Sequence, residues 1–89
     1  MSDEENALSL DKKAMKVLAS ESRIKILKRI DERKRRTVSQ LSRDMNLDKS
    51  TVHKHLKQLV DAGFVNKLDG NNIWVYYQLT GKGKPWIGL

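Results

Sequence analysis

Apolar positions recur every three or four residues through the first two thirds of the chain and then alternate. Leu10, Ala14, Val17 and Leu18 stand at helical intervals and predict a short helix over about 11–19. Ser20 is placed to cap the next helix, with Glu21 favourable in its first turn. Ile24, Leu27 and Ile30, with Ile26 beside them, carry that helix to about residue 31. The run DERKRR at 31–36 is wholly charged and reads as a solvated helix end and loop. Thr37-Val38-Ser39-Gln40 has the spacing of a capping box, and Val38, Leu41 and Met45 share one face, so a third helix spans about 38–45. Asn46 tolerates a turn, and Leu47 is expected to plug the corner. Asp48 is the next cap candidate. Val52, Leu56, Leu59 and Val60 give the clearest stripe in the chain, up to residue 62, and Gly63 follows where a left-handed end is expected.

The period then changes to two. Phe64 and Val65 open an extended segment reaching about Leu68, and Asp69-Gly70-Asn71-Asn72 is dense in turn formers. Ile73, Val75, Tyr77 and Leu79 alternate with Trp74, Tyr76 and Gln78, as in a strand. A hairpin alone is marginal in water, so it must pack on the helices. A brief extended pairing near Arg36-Thr37 would add a third strand. The expected fold is therefore mainly α with a small β hairpin, a winged helix-turn-helix ordered α-α-(β)-α-α-β-β. Residues 1–9 are expected to be a flexible acidic tail, 10–83 the folded domain, and 84–89 a tail that packs on the body or on a partner.

Composition narrows the partners. The 89 residues carry 18 Lys and Arg against 11 Asp and Glu, a net charge of +7, which favours a polyanion over a neutral ligand. A basic surface kept only for solubility is the plainer reading. The charge is uneven: residues 1–10 carry −3 and residues 11–36 carry +7. Cysteine is absent, which excludes disulfide scaffolds, thiol nucleophiles and thiolate metal sites, and suits a reducing compartment. No apolar run approaches the length of a membrane span, and the acidic first ten residues do not read as a secretory or transit signal. A cytoplasmic protein is expected.

Two helices meeting across Asn46-Leu47 have the order that presents the second helix to a DNA major groove. If Val52, Leu56, Leu59 and Val60 face inward, Lys49, Ser50, Thr51, His53, Lys54, Lys57 and Gln58 remain for solvent. No acid lies between Lys49 and Gln58. Ser50, Thr51, His53 and Lys54 are the candidates for base edges. Lys49 and Lys57 are candidates for backbone phosphates, as is Lys67 on the hairpin. So are Thr37, Ser39 and Gln40 at a helix start, with Arg35 and Arg36 beside them. For Thr37 a purely capping role weighs equally. His55 borders the apolar stripe and is expected to pack and hydrogen-bond. His53 and His55 point to different sides of one helix and make no metal pair. No GxSxG, HExxH or phosphate-cradling glycine loop is present, so no enzyme, cofactor or metal site is expected.

The stretch LSRDMNLDKSTVHKHLKQLVDAGFV at 41–65 resembles the winged-helix bacterial and archaeal regulators of the ArsR-like group, and more loosely the MarR-like group. The likeness begins at LASESRIKILKRI and ends near VYYQLTGKG. It implies double-stranded DNA as partner, with Ser50, Thr51, His53 and Lys54 entering the major groove and Lys57 on the backbone. It also implies a two-fold homodimer acting as a repressor. Metal-sensing members carry cysteine in the helix here written VSQLSRDM, so thiolate metal sensing does not carry over, and no effector is implied. A full final helix is replaced by GKGKPWIGL. Two other functions fit the same residues: a winged-helix protein-interaction or assembly module, and a non-specific architectural DNA-binding protein.

Overall fold

The computed structural model describes residues 12–69 and 74–87. Four helices precede a hairpin: α1 (Lys12–Leu18), α2 (Glu21–Arg33), α3 (Val38–Met45) and α4 (Lys49–Asp61). A two-residue strand, β1 (Arg35–Arg36), lies between α2 and α3, and β2 (Val65–Asp69) and β3 (Val75–Leu79) follow α4. The sheet is antiparallel in the order β1-β3-β2, with Arg36 opposite Tyr77 and Lys67 opposite Tyr77 on the other side. This is the winged helix-turn-helix that the sequence pattern predicts. The expected tail at 1–9, the hairpin tip at 70–73 and the expected strand residue Ile73 lie outside the described residues.

Local chemistry sets the element ends. Ser20 Oγ accepts from the Arg23 amide and opens α2. Thr37 and Gln40 form the full capping box of α3: the Gln40 amide donates to Thr37 Oγ1 at 3.1 Å and the Thr37 amide to Gln40 Oε1 at 2.9 Å. Asn46 closes α3 with a left-handed φ of 55°. Gly63, at φ 86°, ends α4 in a Schellman arrangement, its amide on Val60 O and the Phe64 amide on Leu59 O. Phe64 is thereby turned into the core, where it is fully buried.

The core joins Ala14 and Val17 of α1, Ile26, Leu27 and Ile30 of α2, Leu41 of α3, Val52, Leu56 and Leu59 of α4, and Phe64, Val65 and Tyr77 of the wing. Along α2 the buried set is Ile26, Leu27 and Ile30, while Ile24 stays half-buried. That helix packs against α1, α4, β1, β3 and the chain end, so its buried arc is wider than a single stripe. A turn of 3-10 helix, Lys84–Trp86, sets Trp86 against the core. Gly83 makes this approach feasible, because a Cβ there would stand 2.4 Å from Phe64 O.

Candidate nucleic-acid interface

The division of α4 into two faces determines what the molecule can present. Val52, Leu56 and Leu59 are fully buried, and Lys49, Ser50, His53, Lys54, Lys57 and Gln58 are exposed; Thr51 and Val60 are half-buried. A cleft of about 400 Å³ runs between this helix and the wing, lined by His53, Lys54, Lys57, Val60, Asp61 and Lys67 with Tyr77 at its floor; Lys57 Nζ lies 4.0 Å from the Asp61 carboxylate. A neighbouring hollow of about 290 Å³ carries on past Ser39, Val38 and Thr37 to Trp74. Three lysines, one histidine and the start of α3 thus come together on one side of the molecule. Burial, then the negative charge of Asp69, raise the Tyr77 phenol above its ordinary pKa, so the floor of the cleft stays a neutral hydroxyl.

The first turn of α4 departs from expectation. Asp48 occupies the N-cap position but makes no capping hydrogen bond to a backbone amide. Its carboxylate instead accepts from Ser50 Oγ and Thr51 Oγ1, each at 2.7 Å. The Thr51 and Ser50 hydroxyls hold the Asp48 carboxyl below its usual range. The sequence pattern marks Asp48 as a cap and shows no acid from Lys49 to Gln58. It does not announce that the acid one step earlier reaches the two hydroxyls, although spacings of two and three residues are the signal that could have found it.

The residues before α3 divide. Arg36 is withdrawn: only 6% exposed, its guanidinium is paired with Asp44 on α3. The expectation that it meets a backbone phosphate on the surface is corrected, because β1 pairing carries its side chain inward. Arg35 is exposed but stacks over the Tyr76 ring, 4.6 Å from its centroid, away from the α4 cleft. Thr37 is buried and, like the Gln40 carbonyl oxygen, is engaged in the capping box. Ser39 remains at the cleft edge.

His55 is the packed histidine that its position suggests. Its Nδ1 lies 3.2 Å from Arg23 Nη1. Arginine can only donate, so Nδ1 accepts and the ring is the neutral Nε2–H tautomer. Arg23 also donates from Nε to Val17 O at 2.6 Å and from Nη2 to Lys16 O at 3.2 Å. One guanidinium therefore closes the end of α1 and seats the middle of α4. Burial, then the positive charge of Arg23, lower the His55 pKa. Among the described residues no group of three or more His, Asp or Glu is placed to hold a metal ion, and no helix is long and apolar enough to cross a membrane.

The family profile described as "Bacterial regulatory protein, arsR family" matches residues 20–67, which run from the cap of α2 through α4 into β2. The chain belongs to the arsR family. No curated protein sequence matches it. Solved structures similar to this arsR-family chain include reduced HlyU from Vibrio cholerae N16961, at 27% identity and a TM-score of 0.79 over 99% of this chain and 92% of that one. A point mutant of MarR from E. coli, complexed with operator DNA, is 23% identical, with a TM-score of 0.72 over 88% of this chain and 60% of that one. The adhesin competence repressor AdcR from Streptococcus pyogenes is 22% identical, with a TM-score of 0.72 over 78% of this chain. The arsR-family chain spans about half the length of that repressor, 52% of it.

Proposed function

We propose that this protein is a non-catalytic, sequence-specific regulator of transcription that binds double-stranded DNA with α4 in the major groove. The observation that carries the proposal is the face of α4 itself. Val52, Leu56 and Leu59 on its apolar side are sealed in the core, and Lys49, Ser50, His53, Lys54 and Lys57 stand open beside a wing that contributes Lys67. Short polar and basic side chains at the start of such a helix are suited to base edges, and lysines farther along to phosphates. Ser50, Thr51, His53 and Lys54 are assigned to bases. Lys49, Lys57, Lys67 and Ser39 are assigned to the backbone. The likeness to a MarR structure complexed with operator DNA supports this fold as one that docks on a duplex. Such a regulator acts in the cytoplasm, where the DNA is.

One recognition helix reads few base pairs. A two-fold homodimer places two of them on half-sites about 34 Å apart, which doubles the readout. Repression follows when such a dimer covers a promoter. The test is selection of bound duplexes from a random pool by the full chain. The proposal expects an enriched palindrome. Uniform recovery of all duplexes contradicts sequence specificity. Lys57→Ala is expected to weaken binding to every duplex alike and to lower the salt slope by about one.

A further inference from the structure

A second basic hollow lies apart from the α4 cleft and shares no lining residue with it. It measures about 380 Å³ and is lined by Arg33, Arg35, Arg36, Arg43, Asp44, Gln40 and Tyr76. Four arginines thus meet one carboxylate, and that carboxylate is already paired with Arg36. Gln40, Arg43 and Asp44 stand three and four residues apart, so they share one face of α3. Arg35 is held over the Tyr76 ring, which fixes its guanidinium at the rim. Among the described residues, Arg33, Arg35 and Arg43 have no carboxylate partner.

Two features set this cluster apart from an ordinary solvated charge run. Arg36 is more than nine-tenths buried and takes up Asp44, so no carboxylate lining the hollow is left for the exposed arginines. The cluster is also crowded with like charge. Burial, then repulsion from Arg33, lower the Arg36 pKa; attraction from Glu32 opposes this and Arg29 repels in turn. An oxyanion relieves both conditions at once, since guanidinium forks match phosphate and carboxylate oxygens.

We infer that this hollow is a binding site for a free small molecule carrying two or more phosphate or carboxylate groups. Its anionic groups meet the exposed guanidinium groups of Arg33, Arg35 and Arg43 around the hollow. Its volume falls in the range of small-ligand sites. A duplex backbone carries the same phosphate chemistry, but the α4 face proposed to read DNA shares no lining residue with this hollow. The site is separate from the proposed DNA-reading face, so a ligand there would be sensed through β1 and α3, which lead into the helix-turn-helix.

The probe is tripolyphosphate, titrated by calorimetry into the full chain at fixed ionic strength. We expect one ion per chain, bound about tenfold more weakly by the double variant Arg33→Gln, Arg43→Gln. Both residues are exposed, and neither is assigned to DNA. The control is Lys25→Gln, Lys28→Gln, which removes the same charge from α2 outside the hollow and is expected to bind like the unaltered chain. Equal weakening by both double variants, or no binding by the unaltered chain, overturns the site. Duplex titrations separate the two phosphate sources. The Arg33→Gln, Arg43→Gln salt slope is expected to be unchanged, and a slope lower by about two would assign the hollow to the DNA backbone and overturn the free ligand. The tripolyphosphate arm needs no DNA, so it stands or fails independently of the reading of α4.

Discussion

An ionised carboxylate can only accept hydrogen bonds, so at Asp48 the protons of the Ser50 and Thr51 hydroxyls are already engaged. The first turn of α4 then offers a base lone pairs and no hydroxyl donor, which suits the amino groups of adenine and cytosine in the major groove. Asp48→Ala frees both protons. The variant is expected to lose preference at the base pair facing that turn, read by repeating the random-pool selection; an identical motif would contradict this. His55 gives a second prediction. Its folded pKa lies below the ordinary 6.5, so as pH falls through that value the unfolded chain takes up the proton first and stability drops. His55→Gln keeps an acceptor for Arg23 without the titration. Urea unfolding at about pH 7.5 and about pH 5.5 is expected to show a larger loss in the unaltered chain than in the variant. The two pairings are not equally visible in the sequence. The Asp48 contacts are local, whereas Arg23 and His55 are 32 residues apart and meet only once α1, α2 and α4 have packed.

At the scale of elements, both ends of α3 and the C-terminal end of α4 are legible because their punctuation is local. Thr37 with Gln40, Asn46 and Gly63 each act within a few residues, and all behave as their spacing implies. Arg36 is not legible, because nothing in the run RKRR tells which arginine a two-residue strand will turn inward onto Asp44. The apolar stripe of α4 positions its polar face, so stability and binding are coupled there. Leu56→Ala removes a fully buried side chain and is expected to cost about 2–5 kcal/mol, checked by urea unfolding. That is a large share of the stability of a domain this small. Gly83→Ala drives a Cβ into the Phe64 carbonyl, and a lowered Tm with the fold otherwise retained is expected.

Across the whole molecule, the basic charge divides between two surfaces. The excess of +7 is legible from composition, but its partition is not. The structure sends Lys54, Lys57 and Lys67 to the α4 cleft and Arg33, Arg35 and Arg43 to a separate hollow. Membership in the arsR family fixes the architecture through α4, and the proposed reading of DNA depends on which surface that architecture leaves open. The most direct measurement follows backbone amide resonances of the isotope-labelled full chain during titration with its enriched duplex. The largest shifts are expected at Lys49, Ser50, Thr51, His53, Lys54 and Lys57, with smaller ones at Ser39 and Lys67. Binding that moves α1 or the Trp86 turn while leaving those six residues of α4 unchanged would contradict the account.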